Sequence, residues 1–242
     1  MTSSTDPEGD TGGGLGILPE ALTHNLELAA TILMAVAAIM TAWTAFQSTK
    51  WGGVQADEFA KAGALRTEST RFSTLAGQQA QVDIGTFTNW LNVLQADIRA
   101  GDVEPPASAA EYEPAPDTLS GFLFERFREE FKPAVNAWLD TDPFTDPNAP
   151  ATPFDVPEYG LEARQMAEDL KVAADESAQE ARDANQTSDD YVIIAVAAAL
   201  VLFFAGLSSK LSKSRNRVLT LGLGVAMFVY ALFLVFTLPI EI

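Results

Sequence analysis

Carboxylates form the densest candidate chemistry in this sequence. Asp140, Asp142, Asp146 and Asp155 fall within one proline-rich stretch, and hard cations such as calcium take oxygen ligands of this kind. An EF-hand loop needs an oxygen donor at its fifth position and glycine at its sixth. Counted from Asp140, those places hold Phe144 and Thr145, so the run reads as a solvated acidic loop and not a metal site. Asp189 and Asp190 stand directly before a long apolar stretch, where carboxylates from several subunits would make an acidic ring at a pore mouth or, in a single chain, anchor the stretch at an interface. Glu125, Glu129 and Glu130 alternate with Arg126 and Arg128, the pattern of an exposed helix face with weak i,i+4 pairing. His24 has no nucleophile near it, and the glycines at 12 to 14 and 16 neither follow a strand nor open a phosphate-binding helix.

Composition narrows the chemistry further. With no cysteine and one histidine in 242 residues, thiol nucleophiles, Fe–S clusters, disulfides and two-imidazole metal sites are all excluded. No catalytic residue, cofactor motif or metal set emerges, which points to a non-enzymatic protein. Thirty-three acidic against fifteen basic residues give a net charge of −18, which repels phosphate backbones and argues against nucleic acid as a partner. The same acidity suits solubility in high salt.

The elements that must carry these residues are apolar. Leu28 to Phe46 and Tyr191 to Ser209 each run nineteen residues without a charge, and Val218 to Ile240 runs twenty-three. As a helix, nineteen residues reach about 28 Å, enough to cross a bilayer. Met1 to Asn25 lacks Lys and Arg and contains Asp6, Glu8, Asp10 and Glu20, which argues against a cleaved signal peptide. No ionisable residue lies inside any span, which argues against coupled transport. Small residues suited to close helix packing do occur there: Ala35, Ala38, Ala42 and Ala45 form a stripe, and Gly222 with Ala226 makes a small-xxx-small pair. Packing within the chain is the first explanation, and contact between subunits is the alternative. Trp43, Trp51 and Tyr191 suit an interfacial aromatic belt.

Between the spans, Val54 to Gln81 and Glu158 to Asn185 both carry small residues at three- and four-residue spacing. One leaves the first span and the other enters the second, so they form an antiparallel, coiled-coil-like stalk with facing residue numbers summing to about 240. Gly52 and Gly53 mark a bend beside the interface. Farther out, Val82, Phe87, Leu94 and Ile98 make one bulky stripe. Leu119, Phe127, Phe131, Val135 and Trp138 make another, with a kink or break expected at Pro133 and Phe127, Phe131 and Trp138 in a head core. The proline-rich stretches 101–117 and 141–160 read as ordered straps over that head, with disorder the alternative.

The expected architecture is all-α: a disordered tail over 1–25, a first transmembrane helix over 26–50, an extramembrane stalk and small helical head over 51–190, a second transmembrane helix over 191–209, a basic loop over 210–217 and a third transmembrane helix over 218–242. Lys210, Lys213, Arg215 and Arg217 lie in a loop without acids, which places that loop in the cytoplasm of a multi-pass cell-membrane protein and 51–190 outside. The cations Lys50, Lys61 and Arg66 after the first span favour the opposite orientation. The short loop takes precedence, because long flanking domains translocate largely regardless of charge.

The first span followed by FQSTKWGGVQADEFAKAGALRTEST, with Trp51 and Gln55 as its local signature, and the basic-looped hairpin of spans that ends the sequence resemble uncharacterised three-span prokaryotic membrane proteins. That resemblance implies the layout and no activity. The function that fits is assembly or scaffolding through the extramembrane domain, as a homo-oligomer or with a membrane-protein partner in the lipid bilayer. The rival reading is a subunit of a passive oligomeric ion channel.

Overall fold

The helical periodicities resolve into five α-helices in the computed structural model, which describes residues 20–115 and 117–242: α1 Glu20–Ala100, α2 Leu119–Phe124, α3 Lys132–Leu139, α4 Glu162–Lys210 and α5 Ser214–Thr237. A single 3-10 turn at Pro153–Asp155 is the remaining regular element among the described residues. Three of these helices, α1, α4 and α5, contain stretches long and apolar enough to cross a membrane. The expected tail over 1–25 lies outside the described residues up to 19. Residues 20–25 already form the first turns of α1.

Several boundaries differ from the sequence reading. Gly52 and Gly53 do not interrupt α1, which is helical throughout its 81 residues. Glycine lowers helix propensity but keeps its backbone N–H, so the ladder continues where flanking residues favour it. The bulky stripe from Leu119 to Trp138 is not one helix broken at Pro133. The break lies at residues 125–131, and Pro133 sits in the first turn of α3, where a missing N–H costs nothing. The basic loop is also shorter, since Arg215 and Arg217 belong to α5.

α1 ends at Gly101, whose φ of 82° is the left-handed conformation that glycine adopts freely. The Gly101 amide donates to the Ile98 carbonyl and the Asp102 amide to the Asp97 carbonyl, the paired bonds of a Schellman cap. Thr118 opens α2 by accepting the Gly121 amide on Oγ1 at 3.1 Å. Gly121 itself is obligatory, because a Cβ there would meet the Ala115 carbonyl oxygen at 2.0 Å.

The chain forms two units, one of residues up to Phe59 and from Gln179 onward, the other Ala60–Ala178. In the first, Ala30, Leu33 and Ala37 pack with Val201, Ala205 and Leu221, while Met40 packs with Ile194, Ala197, Ala198 and Ala231. Small residues let backbones approach: a Cβ at Gly224 would stand 3.4 Å from the Phe204 Cβ and 3.6 Å from Leu33. The outer faces stay apolar and uncovered, with Ile39 70% and Phe236 80% exposed. Water disfavours such a surface and hydrocarbon does not.

Beyond α5 the chain is tied back by side chains. Gln47, fully buried, donates from Nε2 to the Glu241 carbonyl at 3.0 Å and accepts the Glu241 amide on Oε1 at 2.9 Å. Trp51 Nε1 and the Tyr191 hydroxyl both donate to the Pro239 carbonyl, at 3.1 and 3.0 Å. Ser48 and Ser188 join α1 to α4, their hydroxyl oxygens 3.1 Å apart.

In the second unit, the head, the antiparallel arrangement of the same two helices is set by Ser69, whose hydroxyl donates to the Ala167 carbonyl at 2.7 Å, and by Arg66, 3.3 Å from Asp175. Ala62 and Ala76 of α1 and Ala163, Ala167, Ala174 and Ala178 of α4 are buried, whereas Ala60 and Ala64 are exposed. The core comprises Phe87, Trp90, Leu94, Tyr112, Phe127, Phe131, Ala134, Val135, Trp138, Leu139 and Val156. Both proline-rich stretches contribute to it. Phe154 stacks on Phe131 with centroids 5.3 Å apart, Trp90 Nε1 donates to the Tyr112 hydroxyl at 3.2 Å, and Trp138 Nε1 donates to the Pro150 carbonyl at 2.8 Å. Their described residues are packed as straps against the head core.

Two outcomes test this architecture. Because the chain has no cysteine, Ser48→Cys with Ser188→Cys should oxidise to an intrachain disulfide, while Thr49→Cys with Ser188→Cys should keep two titratable thiols. Gly121→Ala should lower the melting temperature measured by circular dichroism in detergent, at a cost of roughly 2–3 kcal/mol for overpacking against a backbone carbonyl.

Candidate functional site

The head is organised around a charge that is wholly removed from water. Asp83 on α1 has no exposed surface and receives a bidentate guanidinium: Arg128 Nε lies 2.9 Å from Oδ1 and Nη2 lies 3.0 Å from Oδ2. Arg128 Nη1 donates to Glu130 Oε2 at 2.8 Å, and Glu130 Oε1 accepts the backbone amide of Glu162 at 2.5 Å. The Tyr159 hydroxyl stands 3.5 Å from Asp83. The residues read as an exposed charged face thus divide, with Arg128 drawn in between α2 and α3 and Glu130 satisfying an unpaired amide at the start of α4. That inward turn of the chain is the physical reason that the helix breaks at 125–131.

The electrostatic consequences follow the contacts. Hydrogen bonding to Asp83 raises the Arg128 pKa above its usual value, which keeps the guanidinium charged. The Glu162 amide, followed by Arg128, holds the Glu130 carboxyl below the usual carboxylate range. Burial pushes the Tyr112 and Tyr159 phenols up, with Asp83 adding to the effect at Tyr159.

Beside this network lies a groove of about 240 Å³ lined by Phe72, Leu75, Gln79, Glu130, Glu162, Ala163 and Met166. Leu75 and Met166 are each 41% exposed, although both belong to the aqueous part of the sequence reading. Gln79 Oε1 is buried and has no hydrogen-bond partner among the described residues. The lining thus combines the apolar side chains of Phe72, Leu75, Ala163 and Met166 with one amide and two carboxylates. Sequence reasoning placed Met166 in the stalk seam and did not single out Phe72, Leu75 or Gln79; their three- and four-residue spacing along α1 was the available signal.

The residues singled out from the sequence fall as follows. Phe127, Phe131 and Trp138 are buried together in the head core. Ala35, Ala38, Ala42 and Ala45 are exposed, and the face of α1 that packs within the chain is Ala30, Leu33, Ala37, Met40, Thr44 and Gln47. Gly222 and Ala226 are likewise exposed, with Leu221, Gly224 and Ala231 facing inward. Trp43 is 41% exposed, Trp51 is half-buried and Tyr191 fully buried. Asp189 and Asp190 accept from the side-chain amides of Asn185 and Gln186 one turn earlier, at 3.2 and 2.9 Å. The four loop aspartates serve separate local bonds. Asp140 accepts the Ala109 amide, Asp142 the Thr145 hydroxyl, Asp146 the Asn148 amide and Asp155 the Thr152 hydroxyl. No group of three or more potential metal ligands converges among the described residues.

The chain matches no protein-family model, no curated protein and no solved structure at a significant level.

The network predicts two measurable losses. Asp83→Asn should destabilise the protein by roughly 3 kcal/mol in guanidinium titrations, the low end for breaking a buried pair because Arg128 keeps part of its surface in water. Glu130 has a folded pKa below its unfolded one, so its stabilising contribution is present above the unfolded value of 4.5 and is lost as pH falls through the folded value. Glu130→Gln should therefore flatten the acid side of the stability profile relative to the parent chain.

Proposed function

We propose that this chain is a non-enzymatic, multi-pass cell-membrane protein that acts in assembly, with its head groove receiving a cationic amphipathic segment of a partner protein. The observation that carries the reading is the groove itself: Leu75 and Met166 stay exposed in a lining that also holds Gln79 and the carboxylate of Glu162. A partner helix with an apolar ridge flanked by Lys or Arg meets each of those features. Charge selects against head-to-head self-association, because Ala60–Ala178 carries nine basic and twenty-one acidic residues. Like charges facing one another across an interface oppose it.

The basic turn after α4 supports a cytoplasmic position for that turn and an extracytoplasmic one for the head. Membrane-impermeant maleimide on intact cells should label Asn148→Cys, an exposed position on the head, and not Ser212→Cys; the reverse pattern would invert the orientation.

Photocrosslinking from position 75 in living cells should give an adduct to a different chain through a segment bearing cations beside apolar residues, and Gln79→Ala with Glu162→Gln should reduce its yield several-fold. An adduct to a second copy of the same chain would replace the partner with a homo-oligomer. The channel reading needs several subunits to bring Thr31, Thr41, Thr44 or Ser48 around a shared path with Asp189 and Asp190 at its mouth, whereas assembly needs no such path. Purified protein in planar bilayers should accordingly show no specific conductance. A reproducible cation current that falls when Asp189 and Asp190 become Asn would overturn the assembly reading.

A further inference from the structure

We propose that the turn joining α4 to α5 binds the phosphate headgroup of an anionic phospholipid through Lys210, Lys213 and Arg215. All three side chains are exposed, and none makes an ion pair among the described residues, in a chain that carries thirty-three acids. From Tyr191 to Ile240 there is no carboxylate at all, and the four cations of that stretch lie between positions 210 and 217. The fourth, Arg217, is 9% exposed and lies 3.1 Å from Glu27, so that carboxylate is engaged and does not neutralise the other three. Lys213 occupies the N-cap of α5 without a side-chain cap, so first-turn amides there lack a side-chain acceptor.

What distinguishes a lipid from a free phosphate here is the surface next to the charges. Phe203 is 59% exposed, Leu207 39%, Val218 46% and Leu219 62%, immediately before and after the cationic turn along the two helices. An anionic headgroup on the turn and acyl chains along those side chains match both halves of this surface. Inorganic phosphate would match only one. The acids at the far end of the span do not cancel the site. Asp190 and Lys210 are separated by about 30 Å of helix, well beyond a Debye length of about 10 Å at 0.1 M salt.

The inference rests on the membrane reading above, and the test separates the two. The full-length chain in detergent micelles is mixed with equal amounts of phosphatidylglycerol and phosphatidylcholine, and retained lipids are counted by native mass spectrometry. Phosphatidylglycerol should be retained preferentially, and Lys210→Gln, Lys213→Gln and Arg215→Gln should each reduce that preference roughly fivefold, the weight of one cation near an anionic surface. Circular dichroism should show unchanged helicity in the variants. Equal retention of the two lipids, a preference that survives the triple variant, or displacement of phosphatidylglycerol by millimolar inorganic phosphate would each overturn the proposal. Carbonate-resistant insertion into pure phosphatidylcholine vesicles reads out the membrane assignment independently. A chain that inserts but shows no lipid preference loses only the headgroup site, whereas one that does not insert loses both.

Discussion

The Asp83 carboxylate can be buried only because Arg128 reaches it with two parallel hydrogen bonds, and the head is built around meeting that requirement. An isolated carboxylate in a dry interior is strongly disfavoured, whereas a bidentate, hydrogen-bonded pair offsets much of its desolvation. To reach Asp83, the chain must leave the helical path after Phe124 and resume it at Lys132, which puts Phe127 and Phe131 into the aromatic core on either side of Arg128. Glu130 then carries the network to the amide that begins α4. One charge pair therefore fixes α1, the turn between α2 and α3, and the start of α4 relative to one another within the head. Well-packed hydrophobic residues of similar volume often match a buried ion pair in stability, but they lack the directional bonds that bring these three segments to one arrangement. 

The unit that carries the candidate spans meets a different problem on the membrane reading, because burial of apolar surface gives little drive between helices surrounded by hydrocarbon. Close backbone approach takes its place. Ala30, Ala37, Ala198, Ala205 and Gly224 allow dense van der Waals contact, and Gln47, Ser48, Trp51, Ser188 and Tyr191 add hydrogen bonds. Gln47 is notable because its amide satisfies both the donor and the acceptor of Glu241, as a neighbouring strand would. Backbone that is not helical is tolerated at such a position when side chains complete its hydrogen bonds.

Much of this architecture was legible in the sequence, and the failures have identifiable causes. Uncharged runs of nineteen or more residues define the three candidate spans without knowledge of any contact, and helical spacing locates the head aromatics because bulky side chains have one place to go. Alanine is less informative. It suits a packed seam and an exposed helix face equally well, so the stripe at Ala35, Ala38, Ala42 and Ala45 could not be ranked against the one through Ala30 and Ala37, and only the second packs within the chain. Arg128 looked like its neighbours Arg126 and Glu129 because sequence gives the side-chain type but not the partner, and Asp83 lies forty-five residues away. The groove was missed for a related reason. Leu75 and Met166 come from distant segments, and each alone resembles an ordinary seam residue.

The distribution of charge ties these elements to a functional reading. Uniform adaptation to salt would enrich acids on every water-facing surface, but this chain concentrates them on the head and excludes them from Tyr191 through Ile240. The spans cannot carry charge of either sign at low cost, so the charge that the sequence does carry there gathers at the turn where α4 ends and α5 begins. The chain therefore carries two surfaces of opposite charge, an acidic one within Ala60–Ala178 and a basic one at the turn between α4 and α5. On the reading proposed above, the acidic, partly apolar groove receives a cationic amphipathic protein segment and the basic turn bordered by apolar side chains an anionic amphiphile. Each surface pairs a sign of charge with uncovered hydrocarbon, and that pairing, more than the net charge of the chain, determines which partners it can hold.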